Sequence, residues 1–87
     1  MIYFIRQRKS IKIGYTTDVE RRFSELQTGS PTPLYLQAVM NGDRKTEAAL
    51  HLLFKKYRQQ GEWFKFTNIV EAAVKVLRHP NGRVIRP

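Results

Sequence analysis

The residues with the clearest chemical potential lie near the beginning of this 87-residue sequence, in two short apolar segments. Residues 1–5 and 11–15 flank a polar turn, which predicts an antiparallel hairpin. Because successive side chains of a strand point to opposite faces, Tyr3 is expected to share a face with Lys12 and Gly14. A phenol, an ammonium group and a position without a side chain then occupy one patch of sheet, which suits a functional site better than a core.

The hairpin carries two triplets, Met1-Ile2-Tyr3 and Lys12-Ile13-Gly14, and Arg22 follows eight residues after Gly14. In their order and spacing these residues resemble the GIY-YIG endonuclease superfamily. The first triplet stands where the first family triplet ends in its tyrosine, and the second stands where the second family triplet lies. Arg22 falls on the helix that carries the family arginine.

Two later segments extend the resemblance over residues 1–66. Glu47 resembles the metal-binding glutamate on a later helix of the family. The run Gly61-Glu62-Trp63-Phe64 resembles the ending of a compact branch found in phage and bacterial proteins. No single triplet is specific, but the ordered set is.

The resemblance implies a metal-dependent endonuclease that hydrolyses phosphodiester bonds in DNA. This reaction needs an activated water, a cation on the phosphate oxygens and stabilisation of the leaving 3′ oxygen. Tyr3 is the implied proton acceptor, and because a free phenol has a pKa of about 10, it would need nearby positive charge from Lys12 or Arg22. Glu47 is implied to hold one Mg²⁺ or Mn²⁺ ion, since Mg²⁺ sites commonly use one or two carboxylates and several waters. The implied catalytic set is Tyr3, Lys12, Arg22 and Glu47, converging in one cleft.

Each of these residues also has a purely structural interpretation. Tyrosine favours strands, and a lysine can simply occupy the wet face of a strand. A glutamate in the first turn of a helix is stabilised by the helix dipole, and a glycine is natural before a turn. The sequence therefore leaves a second function open, a nuclease-derived nucleic-acid-binding module that has lost turnover. A third possibility is an unrelated αβ fold that binds RNA or another protein.

Two positions depart from the family pattern. The family more often has tyrosine where this sequence has Lys12, although lysine is known there, and the change leaves the role of general base to Tyr3. Many relatives carry histidine or tyrosine where this sequence has Leu26, four residues past the arginine. The missing group is then lost or supplied by Tyr15 or His51.

Four further residues are accessory candidates for the site: Gly14, Tyr15, His51 and Glu62. Gly14 fits a place where backbone and ligand come close. Glu62 lies where the family commonly has a polar residue, and it could hydrogen-bond Arg22. Trp63 and Phe64 are expected in the core rather than as platforms for base stacking.

The net charge of +9, from sixteen Lys and Arg against seven Asp and Glu, favours a polyanionic partner. Nucleic acid is the first candidate, with anionic membrane surfaces and acidic proteins as competitors, and the resemblance implies DNA. Nine basic residues outside the catalytic set are predicted to contact nucleic acid: Arg6, Arg8, Lys9, Arg21, Arg44, Lys45, Lys55, Lys56 and Arg58. Their dispersal suits contact with the phosphate backbone rather than base reading. Targeting would then need a partner protein or a dimer.

Hydrophobic periodicity predicts an α/β (α+β) sandwich, in which about three helices flank a three-stranded antiparallel sheet. The predicted strands are 1–5, 11–15 and 34–40, and the predicted helices lie near 18–28, 44–58 and 68–78. These elements form one domain, residues 1–78, followed by a basic tail, residues 79–87. Three N-caps are predicted for the helices: Thr17, with Glu20 closing a capping box, then Asp43, and finally Thr67 or Asn68.

Composition and hydrophobicity indicate the cellular compartment. The sequence has no cysteine, which excludes disulfides and thiolate metal sites and fits a reducing compartment. It has no apolar run of membrane-spanning length and no signal-peptide hydrophobic region. We therefore expect a cytoplasmic protein that does not insert into membranes.

Overall fold

The computed structural model describes residues 1–78, which form a five-stranded antiparallel sheet with helices on both faces. The strands are β1 (Ile2–Gln7), β2 (Ser10–Tyr15), β3 (Tyr35–Met40), β4 (Arg58–Gln60) and β5 (Trp63–Lys65). The helices are α1 (Val19–Thr28), α2 (Arg44–Leu53) and α3 (Asn68–Leu77), and a 3-10 turn spans Lys55–Tyr57. The sheet order is β3-β1-β2-β5-β4. The predicted tail, residues 79–87, lies outside the described residues.

The predicted hairpin forms from β1 and β2, and its register sets the rest of the sheet. Tyr3 lies opposite Gly14, and Ile5 lies opposite Lys12. The turn residue Arg8 has a positive φ of 54°, a left-handed conformation that is uncommon for a residue with a side chain. The two pairs show that Tyr3, Lys12 and Gly14 share a face of the sheet, as the alternation of the strands predicted.

The predicted three-stranded sheet is wrong, because the sheet has five strands. The helix predicted near 44–58 is too long, because α2 ends at Leu53 and the chain enters β4 at Arg58 after the 3-10 turn. Gly61, with a positive φ of 57°, makes the turn into β5. β5 then pairs along β2, from Ser10 opposite Lys65 to Lys12 opposite Trp63. A three-residue strand shows barely one period of alternation, so its pairing with an existing edge decides its structure.

Two hydrophobic cores lie on the two faces of the sheet. One, beneath α2 and α3, includes residues from the strands and both helices: Ile2, Phe4, Ile11, Ile13, Leu50, Phe54, Val70 and Val74. The other, beneath α1, contains Tyr3, Ile5, Leu34 and Leu36, with Val19, Phe23 and Leu26 packed against them. Covering both faces fixes the orientation of every residue along β1 and β2.

A β-bulge divides the edge strand β3. Phe4 pairs with Ala38 while its neighbour Ile5 pairs with Leu36, so Gln37 is the extra residue. Leu36 consequently belongs to the core under α1, whereas Ala38 belongs to the core under α2 and α3. The extra residue therefore places Leu36 and Ala38 on opposite faces of the sheet, although two positions apart they would share a face in a regular strand.

The helix caps agree with prediction for two helices of three. Asp43 and Thr46 form the capping box of α2, and the Thr67 hydroxyl accepts the Val70 N–H at the start of α3. The predicted Thr17 cap of α1 is wrong: Asp18 caps that helix by accepting the Arg21 N–H at 3.1 Å. The Asp18 carboxylate is a strong capping acceptor one residue closer to the first turn.

Helical spacing predicts apolar faces formed by Leu50, Leu53, Phe54 and Tyr57 in the second helix and by Ile69, Ala72, Ala73, Val76 and Leu77 in the third, and these predictions are partly wrong. Leu53 is 64% exposed, and Ile69 and Val76 of α3 are 65% and 84% exposed. The buried residues of α3 are instead Val70 and Val74. Apolar residues surround much of α3, so periodicity alone did not distinguish its two faces. No helix within residues 1–78 has the length and apolar content needed to cross a membrane.

Candidate active site

A polar cleft of about 390 Å³ opens at the end of the sheet where β1 begins and β2 ends. Five different parts of the chain line it: Tyr3 of β1, Tyr15 with Thr16 and Thr17 at the end of β2, Arg22 of α1, Arg44 and Glu47 of α2, and Glu62 between β4 and β5. Three members of the predicted catalytic set, Tyr3, Arg22 and Glu47, therefore share this cleft although they lie on three different elements.

Gly14 makes room for the Tyr3 ring. A Cβ atom placed on Gly14 would lie 2.9 Å from Cε2 of Tyr3 and closer still to Cζ and the phenol oxygen. The ring therefore lies directly against the bare backbone of β2. The sequence predicted close approach of a ligand at Gly14, whereas in the structure the close approach is that of Tyr3.

The Tyr3 phenol is held in its neutral form. Tyr3 is 1% exposed, and burial raises the pKa of its hydroxyl above the usual value, because a buried phenolate loses its hydration. The Arg22 guanidinium acts in the opposite direction and lowers this pKa, while the carboxylates of Glu62 and Glu47 add to the rise. Additional positive charge in the cleft would lower this pKa.

Arg22 is the cation that faces Tyr3. Interaction with the phenol raises the pKa of the Arg22 guanidinium further, so its charge is permanent. The same side chain lies 3.6 Å from a carboxylate oxygen of Glu25, one turn along α1. Its neighbour Arg21, with a side chain 77% exposed, points away from the cleft toward solvent. The spacing from Gly14 had predicted this choice of Arg22 over Arg21.

Glu47 supplies a carboxylate from the first turn of α2. It is half-buried, and Glu62 lines the same cleft. Within residues 1–78 no cluster of three or more His, Cys, Asp or Glu residues is positioned to enclose a metal ion. One or two carboxylates beside open, polar space suit Mg²⁺ or Mn²⁺, which complete their shells with water and phosphate, better than a closed zinc site.

Lys12 lies outside this lining. Its ammonium nitrogen is 3.5 Å from a carboxylate oxygen of Glu62 and 5.4 Å from the centre of the Trp63 ring. Glu62 thus connects Lys12 to the cleft, and the partner that the sequence suggested for Glu62, Arg22, is replaced by Lys12. Lys12 faces a second, neighbouring cavity beside Trp63.

The profile of one protein family, the T5orf172 domain, matches residues 1–80. The chain belongs to the T5orf172 family. The match includes every strand and helix described above, and so includes the whole cleft. Neither the curated proteins nor the solved structures compared with the chain gave a match.

The accessory candidates of the T5orf172 domain divide between the cleft and the core. Tyr15 lines the cleft, and the Arg44 guanidinium lies 5.1 Å above its ring. His51 does not line it: its Nε2 lies 2.7 Å from the Ile13 carbonyl oxygen, and its ring tilts against Phe64. Because a carbonyl only accepts, the Nε2–H donates this bond. His51 is therefore occupied in joining α2 to the sheet.

Sequence reasoning missed two residues that line the cleft of the T5orf172 domain, Thr16 and Thr17, and gave a third, Arg44, only a general role. Thr16 and Thr17 follow the last residue of β2, and hydroxyls at the end of a predicted strand were the available sign. Arg44 was predicted as a general nucleic-acid contact. It lies three residues before Glu47 on α2, a spacing that places two side chains on one helix face.

The other predicted nucleic-acid contacts of the T5orf172 domain lie on several surfaces. Those that are exposed include Arg8, Lys9, Arg21, Lys45, Lys55, Lys56 and Arg58. Arg6 differs, because its guanidinium lies near the rings of Tyr35 and Phe66, at 5.3 and 5.7 Å from their centres. The Arg6 guanidinium therefore packs against aromatic rings at the end of the sheet opposite the cleft.

Proposed function

We propose that this T5orf172 protein is a GIY-YIG-type, metal-dependent endonuclease that hydrolyses phosphodiester bonds in DNA. The observation that carries the proposal is the meeting of Tyr3, Arg22 and Glu47 in one polar cleft. A phenol, a guanidinium and a carboxylate match the needs of this reaction, namely a proton acceptor, a fixed positive charge and a ligand for a cation. The order hairpin, helix, strand, helix, which the resemblance implied, also supports it.

The chain's own residues have separable roles in this proposal. As the oxygen of water attacks phosphorus, the phenolate form of Tyr3 accepts the proton of the water. The bond between phosphorus and the 3′ oxygen breaks, which leaves a 5′ phosphate and a 3′ alkoxide that takes up a proton from solvent. Arg22 stabilises the phenolate of Tyr3 before the proton is transferred, and it stabilises the negative charge on the phosphate oxygens. Gly14 contributes by position alone, since it allows the Tyr3 ring to lie where it does.

Glu47 would hold one Mg²⁺ or Mn²⁺ ion, with Glu62 and the Thr16 and Thr17 hydroxyls as the other polar groups nearby. When bound, such an ion neutralises phosphate charge and lowers the pKa of groups around it. The positive charge of the ion would thus favour the phenolate of Tyr3, which burial disfavours. The requirement that the sequence implied, positive charge near Tyr3, is then met by the ion and Arg22, while Lys12 is paired with Glu62.

The net charge supports DNA as the partner. A charge of +9 on 87 residues attracts the phosphate backbone over distances beyond direct contact. Arg44 lies on the rim of the cleft beside Glu47, where it can contact a phosphate adjacent to the one cleaved. We place this activity in the cytoplasm, with targeting by a partner protein or by dimerisation.

One observation supports the alternative function, a nucleic-acid-binding module that lacks turnover. Burial raises the pKa of Tyr3, and Lys12 is paired with Glu62 outside the cleft, so neither burial nor Lys12 favours the phenolate. In that case the same cleft would bind a phosphate without cutting the chain.

A cleavage assay with two matched glutamate variants tests the proposal. Glu47 and Glu71 each lie in the first turn of a ten-residue helix, but only Glu47 lines the cleft. Glu47→Ala should abolish Mg²⁺- or Mn²⁺-dependent cleavage of plasmid and branched DNA while retaining most DNA binding. Glu71→Ala should cleave at the parent rate. Equal activity of both variants would contradict the proposal, and a parent protein that binds but cuts none of these DNAs would favour the binding module.

A further inference from the structure

A second cavity, of about 290 Å³, lies beside the cleft on the same face of the sheet. We call it the Trp63 cavity. Its apolar walls are Ile5, Leu26, Leu34 and Trp63. The Lys12–Glu62 ion pair separates it from the cleft, since Lys12 lines the cavity and Glu62 lines the cleft.

A few polar groups are fixed at the rim of this apolar space. The Lys12 ammonium lies 5.4 Å from the centre of the Trp63 ring, and only 14% of the Lys12 side chain is exposed. Gln7 donates from its amide nitrogen to the hydroxyls of Ser30, at 3.0 Å, and Thr32. These bonds fix the orientation of the Gln7 amide and leave its carbonyl oxygen as an acceptor. An apolar cavity with a few convergent polar groups is the usual form of a small-ligand site.

The cavity lies one step along the sheet from the catalytic candidates. The Ile5–Lys12 pair follows the Tyr3–Gly14 pair on the same face, and two residues of a strand span about 7 Å. A ligand in the cavity is therefore close to any phosphate bound in the cleft. The chemistry that fits is a flat aromatic group with a polar edge, able to lie against Trp63 and to meet Lys12 and Gln7.

We propose that the Trp63 cavity binds one unpaired nucleobase, carried by a nucleotide next to the phosphate in the cleft. This inference rests on the proposed function and adds a preference for substrate. A base inside an intact duplex is stacked on both sides and cannot enter the cavity, whereas a single-stranded or extruded base can. The protein then acts at DNA with unpaired nucleotides, such as branches, flaps or single strands.

Trp63 is the only tryptophan of the chain, so its fluorescence reports on this cavity alone. The probes are three dye-labelled DNAs of equal length: an oligothymidylate, the same backbone with abasic sites, and a blunt duplex. The dye is chosen so that it does not overlap tryptophan emission. Binding of each DNA is measured by dye anisotropy in the presence of Ca²⁺. This ion prevents neither contact with phosphate nor entry of a base. Trp63 emission is then recorded with the protein saturated by DNA. We expect quenching by the oligothymidylate, little quenching by the abasic strand and little by the duplex.

Two variants test the contact from the side of the protein. Trp63→Leu should weaken binding of the oligothymidylate by about fivefold to a hundredfold, the range for loss of one stacked base, and leave abasic-strand binding unchanged. Trp63→Phe keeps an aromatic face and should recover most of the lost affinity. Circular dichroism confirms that each variant is folded, and the quenching measurement on the parent protein does not depend on either.

The outcomes separate this inference from the proposed function. Equal quenching by the abasic strand, or no quenching at a saturation proven by anisotropy, overturns the nucleobase site and leaves the nuclease proposal standing. Equal weakening of both strands by Trp63→Leu overturns it as well. Absence of any anisotropy change with all three DNAs overturns both proposals.

Discussion

Gly14→Ala tests whether the bare backbone at this position holds Tyr3 in the cleft. The new Cβ would lie 2.9 Å from Cε2 of Tyr3 and closer to Cζ and the phenol oxygen, which are separations that require the ring to move. Tyr3 is 1% exposed and packs in the core under α1, so the ring has little free space. Gly14 has no positive φ, and the backbone itself would accept alanine.

The magnitude follows from two opposing effects. Replacing glycine with alanine within a strand stabilises by about 0.5–1 kcal/mol when there is space. Overpacking a core costs about 1–3 kcal/mol. We therefore expect a net loss of about 1–2 kcal/mol in the free energy of unfolding, and a fall in Tm of about 4–8 °C for each kcal/mol in a domain of this size. Because the ring must leave its position, the rate of DNA cleavage should also fall.

Urea denaturation of five proteins measures this effect: the parent, Gly14→Ala, Gly29→Ala, Tyr3→Leu and the Tyr3→Leu/Gly14→Ala double variant. Gly29→Ala is the matched control, since its new Cβ would meet nothing closer than 3.8 Å, and it should not be destabilised by a steric clash. In a Tyr3→Leu background, where Cζ and the hydroxyl are gone, Gly14→Ala should cost little or nothing. The resulting coupling energy should be about 1–3 kcal/mol. A Gly14→Ala protein as stable as the parent, or one with the same cost in both backgrounds, would refute the reasoning.

Three further predictions concern Tyr3 and the surface charge. Tyr3→Phe should reduce the single-turnover cleavage rate by about 10²–10⁴-fold, the usual contribution of a general base, and a rate equal to that of the parent would make Tyr15 the next candidate. The pKa of Tyr3 is raised in the folded state. Above about pH 10 the folded protein therefore binds more protons than the unfolded protein, and its free energy of unfolding falls as the pH rises. Urea titrations should show a steeper alkaline loss of stability for the parent than for Tyr3→Phe. Affinity for duplex DNA should fall steeply between two salt concentrations, because each phosphate contact releases about one counterion, and anisotropy that does not change with salt would contradict this.

The part of the site that could be predicted from sequence depends on strand alternation. Tyr3 and Gly14 lie on the same face because each strand of a tight hairpin alternates, and the hairpin could be identified from residues 1–15. Phe23 is an apolar residue that marks the face of α1 packed on the sheet. Its neighbour Arg22 is therefore expected beside the buried face. Local periodicity is enough for these assignments because the partners lie close together in the sequence.

The position of Lys12 could not be predicted, because its partners come from the other half of the chain. Glu62 and Trp63 reach Lys12 only when β5 pairs with β2. The extended character of residues 63–66 can be predicted, but three residues of alternation do not reveal that this segment pairs with β2. Likewise, α3 has apolar residues on most of its circumference, so its buried face is set by the fit of Val70 and Val74 against the sheet.

The bulge at Gln37 also affects what the sheet edge offers to other chains. A flat edge strand presents a regular ladder of unpaired N–H and C=O groups and invites pairing with another chain, and a bulge interrupts that ladder. At the opposite edge, β4 has only three residues, and it carries the charge of Arg58. Both edges are thus poor templates for pairing with the edge strand of another chain.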